Sequence, residues 1–557
     1  MPTSWYHVIP RILGRVLIEQ PRTILDVGAG FGKYGMLLRE TLDVAGKRYD
    51  RDDWQTRIDG IEVFAGYRNP IHSYVYDHVY YDTVENVLPS LGTYDVILLI
   101  DVLEHFERDE GRKLLRALLA HTGKALIVST PVSPAEQGAY LGNAYETHRS
   151  RWTVADFAAF QSEFILADVG DEKCLLVKIY PNTDLLSRTR ELYARDCELL
   201  QSPVSHPATR LDIAFVMPHT HLTGGVKVLL EQIRWLKSRG HKVSVYLKSH
   251  KDEASALPDW NRPHVDGDVV LKPDEDFKEH LQSADVVVAG WVEQLPELCR
   301  CNKPVLYIEQ GSETLFGDQS VTWQLPGYMD LLKQNYSLPC TLGAVSDFVA
   351  EVLEKRYGRK AVVLPCCIDT DAFHPGTPPD DNVILLAGNP SLTFKGFDTA
   401  LRALELAWRA GTRFSIRWVC QVQPDVQGVS FPVSYTVNPP QQTLPGLFRQ
   451  ADILLFTSWY EGFGLPPLEA MASGLAVVCT RCGGPAMYLK PETNALTALP
   501  GDVPALALGV ARLCTDENLR RRLGAAARKT ALEFSAAHTM PRLEELLIRM
   551  HEQQPPA

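Results

Sequence analysis

The sequence predicts an α/β protein in which parallel strands alternate with helices. Three stretches carry this prediction, because in each an apolar, strand-like run is followed by glycines and then by a helix-like pattern. These stretches begin at Thr23, Leu211 and Ile453, so the same pattern restarts along the chain. With 557 residues and an apolar content of 45%, the chain is long enough for about three domains, each with its own core.

The overall charge argues against a nucleic-acid partner. The formal net charge is -12 and the pI is 5.8, whereas binding to phosphate backbones needs a basic face. No run approaches the roughly 18 to 20 apolar residues of a membrane helix, and the first residues lack the features of a signal peptide. We therefore expect a cytoplasmic location.

The eleven cysteines are an odd number, scattered through strand-like and helix-like sequence, which favours reduced thiols over a disulfide framework. Cys479 and Cys482 form a CxxC pair. A zinc site would need a second such pair or nearby histidines, so we expect two buried thiols and no metal site.

The third stretch, 453–474, is the most informative. Its strand runs into a glycine-rich turn, and two prolines suit the start of the helix that follows. Glu461 then falls in the loop and Glu469 in the first turn of the helix, where the helix dipole favours a charged carboxylate. Ligands collect at this end of a strand in open α/β sheets, so the two carboxylates fit a sugar nucleotide. The simpler alternative is two solvated acids beside a turn.

Two glutamates eight positions apart, with Gly-Phe-Gly-Leu between them, resemble the signature of glycosyltransferase family 4. Members of that family are retaining enzymes of the GT-B fold, so the resemblance implies a nucleotide-sugar donor, no metal and a catalytic role for Glu461. The resemblance further implies a set of donor-binding residues: Gly224, Gly225, Lys395, Ser458, Glu461, Gly462, Phe463, Gly464, Leu465 and Glu469.

Two positions depart from the family pattern. Many members place a histidine near the end of the strand at 304–308, where this chain has none, and Glu309 and His221 are the candidate catalytic substitutes. The family also offers an arginine a few residues before Lys395, so that two cations hold the diphosphate. Pro390 occupies that position. Either Lys395 acts alone or a cation from elsewhere replaces the arginine.

The first stretch, 23–38, has a GxGxG turn, which dinucleotide and adenosyl cofactors both use. The elements that follow favour the adenosyl cofactor, and their order resembles the class I S-adenosylmethionine-dependent methyltransferases. A sulfonium cation also tolerates nearby acids that would repel a pyrophosphate. The resemblance implies these cofactor-binding residues: Asp26, Gly28, Gly30 and Gly32 at the methionine portion, Glu62 at the ribose, Asp82 at the adenine amine, and Asp101 closing the pocket.

The segment 143–152 resembles the acceptor loop of methyltransferases that act on sugar hydroxyls or carboxylates. O-methyl transfer needs a base that takes the hydroxyl proton, and His105 and His148 are the candidates by residue type and position. For each histidine the alternative is a role without contact to the acceptor.

These patterns divide the chain into a methyltransferase domain (1–180), a helical linker (181–210), a GT-B N-terminal acceptor domain (211–376) and a C-terminal donor domain (377–539). By resemblance, the final helix (540–557) packs back on the N-terminal half. The arginines at 520–522 lie on a charged amphipathic helix and favour a solvated face over a membrane site, although peripheral membrane contact stays open.

The leading hypothesis is a bifunctional enzyme of surface polysaccharide or glycolipid biosynthesis, which transfers a sugar to a glycan or lipid-linked acceptor and O-methylates a sugar. One alternative is a methyltransferase with a degenerate, non-catalytic GT-B binding module. Another is a phosphorylase or epimerase on the same scaffold, which the Gly-Phe-Gly-Leu turn disfavours.

Overall fold

A computed structural model describes residues 5–132, 137–139, 142–158, 160–170, 172–181, 209–251, 253–318, 328–377, 382–424, 426 and 428–553. The chain divides into two compact units: Met1–Asp184 with Phe316–Pro326, and Leu185–Leu315 with Gly327–Ala557. Of the expected linker at 181–210, the structure describes only residues 181, 209 and 210. The predicted helix of the linker lies outside the described residues.

The first unit contains a seven-stranded sheet with the order β3-β2-β1-β4-β5-β7-β6. Its strands are β1 (Thr23–Val27), β2 (Arg57–Ile61), β3 (His78–Tyr80), β4 (Tyr94–Ile100), β5 (Thr122–Pro131), β6 (Ser162–Val169) and β7 (Glu172–Ile179). The first five strands are parallel, and β7 pairs antiparallel with both β5 and β6. The α-helices are Ile9–Glu19, Lys33–Leu38, Pro70–Val75, Val84–Val87, Arg108–Ala120 and Val154–Phe157.

The second unit contains two parallel sheets, with the orders β10-β9-β8-β11-β12-β13-β14 and β17-β16-β15-β18-β19-β20. The first sheet consists of β8 (Asp212–Val216), β9 (Lys242–Lys248), β10 (Gly267–Leu271), β11 (Val286–Ala289), β12 (Val305–Glu309), β13 (Thr341–Ala344) and β14 (Val362–Val363). The second consists of β15 (Val383–Ala387), β16 (Ser415–Cys420), β17 (Val433–Val437), β18 (Ile453–Phe456), β19 (Ala476–Thr480) and β20 (Leu496–Ala498). The predicted α/β class with Rossmann-like sheets is confirmed.

Helices flank the two sheets of the second unit. Those of its N-terminal half are Gly224–Ser238, Phe277–His280, Leu295–Leu298, Tyr328–Tyr336 and Asp347–Tyr357, together with Glu313–Phe316, whose last residue is assigned to the first unit. Those of its C-terminal half are Phe397–Arg409, Leu444–Phe448, Leu465–Ala472, Val503–Thr515, Glu517–Leu532 and Ala536–Glu552. Every residue of β18 is buried, as expected for a central parallel strand that is covered on both faces.

The sheet orders position the functional loops. In each sheet the strand order reverses beside the first strand, so that β1 lies next to β4, β8 next to β11 and β15 next to β18. Ligands of open α/β sheets bind outside the carboxyl ends of the strands at this reversal. The predicted glycine turn after β1 and the Glu461 turn after β18 both lie there.

The last helix begins at Ala536, four residues before the predicted start, and contains Pro541. Its Glu544 accepts a hydrogen bond from Arg239 Nε at 3.1 Å and lies 3.2 Å from His241 Nε2. These contacts tie the helix to the N-terminal half of the second unit.

The CxxC thiols, Cys479 and Cys482, are fully buried and form no disulfide. Burial raises the pKa of both thiols, which keeps them protonated and unreactive.

Candidate active sites

The glycine turn of the second unit connects β18 to the helix Leu465–Ala472. Gly464 adopts a φ of 81°, and prolines stand at the start of the helix as predicted. A Cβ on Gly462 would lie 1.9 Å from the carbonyl oxygen of Gln310, which belongs to the N-terminal half of the same unit. The turn therefore touches the opposite half of the unit with its backbone, and only glycine fits there.

Glu461 lies in this turn and is paired with a cation. Its Oε1 accepts hydrogen bonds from Lys395 Nζ at 2.8 Å and from Ser458 Oγ at 2.7 Å. Lys395 ends a short helical turn after β15. The structure thus brings three of the predicted donor-site residues, from two neighbouring strand ends, into one hydrogen-bonded group.

Glu469 lies at the fifth position of its helix, and the first turn of that helix contains no acidic residue. The expectation that Glu469 sits in the first turn, where the helix dipole would favour its charge, is wrong. The helix begins at Leu465, before the prolines, which moves Glu469 one turn along. Lys227 Nζ instead lies 3.6 Å from its carboxylate and supplies the favourable charge.

Lys227 is a functional candidate that the sequence reasoning missed. It lies on the helix Gly224–Ser238, which the predicted glycine pair Gly224 and Gly225 opens and Thr223 caps. Gln310 is a second missed residue, because its Nε2 donates to the Gly225 carbonyl at 3.3 Å while its own carbonyl faces Gly462. The sequence feature that could have pointed to Lys227 is its position, because it is a cation just inside a helix that starts with glycines.

Glu309, a candidate catalytic residue, has surroundings that differ from those of Glu461. Its side chain is buried and accepts hydrogen bonds from the Tyr307 and Tyr336 hydroxyls and from the backbone N–H groups of Gly311 and Ser312. Four donors already use its carboxylate, which favours a role in shaping the loop over contact with a transferred sugar.

His221 and Phe463 lie in different surroundings. The His221 side chain is exposed, with its ring 5.4 Å from that of His219. The Phe463 ring packs against Tyr488 and Phe534, at centroid distances of 5.6 and 6.0 Å, so only its backbone is left to face a donor.

In the first unit, the glycine turn after β1 has positive φ at Gly28, Gly30 and Gly32. A Cβ on Gly28 would lie 2.4 Å from the Val102 side chain, so this position requires glycine. A Cβ on Gly30 would find no atom nearer than 3.9 Å, which leaves open space beside the turn.

Glu62 follows β2 and reaches back to this turn. Its carboxylate accepts hydrogen bonds from the backbone N–H groups of Gly30 and Phe64, both at 2.8 Å. Burial raises the pKa of Glu62 to about 7, and the two N–H donors oppose that shift. The carboxylate therefore titrates near neutral pH.

The other predicted acids differ in their exposure. Asp26 is buried and accepts a hydrogen bond from the Tyr76 hydroxyl at 2.6 Å, and burial raises its pKa to about 6. Asp82 is exposed and accepts from Thr83 N–H and Asn86 Nδ2. Asp101 has a φ of 52° and accepts from the Ser129 hydroxyl at 2.5 Å.

The structure brings the candidate bases His105 and His148 close to Glu104, which the sequence did not single out. Their rings lie 5.1 Å apart, and Glu104 is the third member of the cluster. Burial raises the pKa of Glu104 well above its usual range and lowers the pKa of His105. The sequence offered one signal for Glu104, namely its place in the spacing Asp101-x-x-Glu104-His105. His148 is distant in the sequence, so the three-residue cluster could not be predicted.

The acceptor loop contacts the rim of the glycine turn. The Tyr67 hydroxyl donates to Glu146 Oε1 at 2.9 Å, and the Tyr67 ring lies 4.6 Å from that of Phe31. This pair links the candidate cofactor side of the unit to the candidate acceptor side.

Two stretches of the chain match known protein families. The family described as "Methyltransferase domain" matches residues 1–162, and "Glycosyl transferases group 1" matches residues 432–530. The chain therefore carries a methyltransferase domain and a glycosyltransferase group 1 domain. Neither match reaches half of the chain.

Curated relatives match a portion of the chain. An MMP alpha-(1->4)-mannosyltransferase from Mycolicibacterium hassiacum is 29% identical over 202 residues, which cover 34% of this chain and 49% of that protein. A D-inositol 3-phosphate glycosyltransferase from Salinispora arenicola is 30% identical over 169 residues, covering 30% and 33%. The chain thus spans between a third and a half of the length of these relatives.

Among solved structures, sucrose-phosphate synthase from Thermosynechococcus elongatus is similar, with a TM-score of 0.50 and 17% identity over 60% of this chain and 97% of that one. This likeness confirms the GT-B fold of the second unit. Among the described helices, none combines the length and apolar character that crossing a membrane requires.

Proposed function

We propose that the protein is a bifunctional enzyme of surface polysaccharide biosynthesis, acting in the cytoplasm. Its second unit would be a retaining glycosyltransferase that moves a hexosyl group from a nucleotide sugar to a glycan or glycolipid. Its first unit would be an S-adenosylmethionine-dependent O-methyltransferase acting on a sugar. The observation that carries the proposal is the pairing of Glu461 with Lys395 and of Glu469 with Lys227 within the second unit.

The two lysines provide the positive charge that a nucleotide diphosphate needs. In each pair the lysine is held by a glutamate, so a diphosphate would compete for the ammonium group while the released carboxylate accepts sugar hydroxyls. Lys227 supplies the second cation of the site, because Pro390 occupies the position where the family has an arginine. The names of the similar proteins, a mannosyltransferase and D-inositol 3-phosphate glycosyltransferases, support a hydroxyl-bearing acceptor.

The first unit offers a matching set of groups for S-adenosylmethionine, which supplies an electrophilic methyl group when bound. The open space beside Gly30 admits a ligand close to the backbone, and Glu62 presents a carboxylate next to it. Glu62 would accept hydrogen bonds from ribose hydroxyls, and Asp82 from the adenine amine. His105 and His148 lie on the acceptor side, where a hydroxyl must lose its proton.

The proposal is tested by ligand binding and by product analysis. A thermal-shift panel of nucleotide sugars and S-adenosylhomocysteine identifies the ligands, because a ligand at 100 times its dissociation constant stabilises the folded state by about 2.7 kcal/mol. NMR of the glycosylated product then gives its anomeric configuration. An inverted anomer would contradict the retaining mechanism, and stabilisation by neither ligand class would contradict the proposal as a whole.

We expect S-adenosylhomocysteine to bind the full-length protein in calorimetry, and Glu62→Gln to weaken that binding by about 10-fold or more. The reason is that a charge-assisted hydrogen bond contributes about 1.5 to 3 kcal/mol. The full chain is used because the first compact unit includes residues 316–326, which a fragment ending at 180 would lack. Glu85→Gln, an exposed acid of the same unit, is the matched control. Binding of NAD in place of the adenosyl ligand would show that the methyltransferase assignment is wrong.

We also expect the affinity for S-adenosylhomocysteine to rise between pH 6 and pH 8. The pKa of Glu62 is about 7, and the ionised carboxylate is the better acceptor, so binding releases a proton. Affinity should increase by at most about tenfold per pH unit below pH 7 and level off above it. Calorimetry across this range measures the profile, and Glu62→Gln should flatten it. A profile that is equally steep in Glu62→Gln would assign the titration to another group.

A further inference from the structure

We propose that Glu104, His105 and His148 form a binding site for one divalent transition-metal ion beside the acceptor loop of the methyltransferase unit. Each side chain offers one ligand atom, and the three atoms lie within 4.8 Å of one another. Bonds of about 2.1 Å to a common ion place ligand atoms roughly 3 to 4 Å apart. Closing the cluster onto an ion therefore takes side-chain movements of about an ångström.

The burial of Glu104, without a hydrogen bond to its Oε2, is a second and independent observation in favour of a metal site. Its side chain is 2% exposed, and its Oε2 makes no hydrogen bond although it is buried. The Thr130 hydroxyl lies close enough to the Glu104 carboxyl group to lower its pKa, but neither this hydroxyl nor Glu104 Oε2 forms a hydrogen bond of normal geometry. Burial without a hydrogen-bond donor disfavours the ionised form of this carboxyl group, and a bound cation offsets that cost.

The histidines belong to two chain segments that the fold brings together. His105 ends the short helical turn Leu103–His105 after β4, and its Nδ1 lies 3.2 Å from the carbonyl oxygen of Thr147. Donation from Nδ1 to a carbonyl leaves the lone pair on Nε2, which is the arrangement common to metal-bound histidines. The next residue in that segment is His148, whose ring lies 5.1 Å from that of His105.

The donor set selects the class of ion. Two imidazoles and one carboxylate suit Mn²⁺, Fe²⁺, Co²⁺ or Zn²⁺ better than Mg²⁺ or Ca²⁺, which prefer oxygen ligands. Three protein ligands also leave open positions for a substrate, and a vicinal pair of sugar hydroxyls is the simplest ligand to fill two of them. The inference concerning the substrate rests on the proposed methyltransferase function, whereas binding of the ion does not.

Such an ion changes what the histidines do. A coordinated hydroxyl has a lowered pKa and loses its proton to solvent. Its oxygen then attacks the methyl carbon as the carbon–sulfur bond breaks, which yields a methyl ether and S-adenosylhomocysteine. His105 and His148 would thus bind the ion, and neither would act as the general base.

Binding of Mn²⁺ to the full chain, after treatment with a chelator, tests the proposal. The electron paramagnetic resonance signal of free Mn²⁺ should fall with a stoichiometry of one ion per chain. His105→Ala, His148→Ala and Glu104→Gln should each weaken binding by at least 10-fold. His219→Ala is the matched control, because His219 and His221 form a second histidine pair with rings 5.4 Å apart. That variant should bind Mn²⁺ like the wild type.

Two further measurements separate the outcomes. The visible spectrum of added Co²⁺ should show a protein-bound species that His105→Ala loses, and S-adenosylhomocysteine binding should report whether each variant folds. Equal Mn²⁺ binding by the wild type and the three variants would overturn the site, as would no binding in a wild type that binds the adenosyl ligand. Saturable Mn²⁺ binding lost in the variants, without adenosyl binding in the wild type, would support the site and contradict the methyltransferase proposal.

Discussion

Gly462→Ala should lower glycosyl transfer, measured as kcat/KM for a nucleotide sugar, by about 100-fold or more. The added Cβ would lie 1.9 Å from the carbonyl oxygen of Gln310 and 2.7 Å from its carbon. Both are backbone atoms, so no flexible side chain can move aside. Overpacking of this kind costs about 1 to 3 kcal/mol. The larger effect is on geometry, because a shift of the turn by about 1 Å displaces Glu461, which can cost 100-fold in rate.

The matched control for this substitution is Gly446→Ala in the same unit. There the nearest atom to an added Cβ is the end of the Arg449 side chain, at 3.8 Å, so the variant should keep wild-type turnover. Binding of S-adenosylhomocysteine, which uses the other unit, should not change in either variant. A Gly462→Ala enzyme with wild-type kcat/KM would show that the turn does not need its close approach to Gln310.

Glu469→Gln should weaken binding of the sugar-nucleotide donor by about 10 to 150-fold. A carboxylate that accepts hydrogen bonds from two adjacent ribose hydroxyls contributes about 1.5 to 3 kcal/mol more than a neutral group. In the structure the electrostatic partner of this carboxylate is Lys227, whose Nζ lies 3.6 Å away, and not the start of the helix. Calorimetric titration with the donor measures the effect.

Lys227 complicates this experiment, since Glu469→Gln leaves its ammonium group without that partner and better able to attract the diphosphate. The double variant Glu469→Gln with Lys227→Gln removes this compensation and should bind the donor more weakly than either single variant. Glu517→Gln, an exposed acid that pairs with Arg521 on a surface helix, controls for the loss of one negative charge. Methyl transfer to a supplied acceptor should be unchanged. Wild-type donor turnover in Glu469→Gln, or a loss of methylation instead, would contradict the assignment of Glu469.

The methyltransferase unit shows which structural features can be predicted from neighbouring residues alone. The strand at 94–100 and the glycines after β1 follow from short-range patterns, namely apolar runs and backbone positions that need positive φ. The antiparallel pair β6 and β7 does not, because the direction in which two strands pair depends on how the chain returns to the sheet. The neighbourhood of Glu104 and His148 likewise depends on the loop that carries His148.

The sequence by itself determined the α/β class, the glycine turns and the loop position of Glu461, because these depend on the backbone preferences of adjacent residues. Only the tertiary structure decided which side chains face each other. It paired Lys227 with Glu469, surrounded Glu309 with four donors and left Glu104 buried beside two histidines. Such contacts join residues that are far apart in the chain, so they depend on the packing of whole elements. The local patterns around Lys227 and Glu104 do not name the residues that these side chains meet.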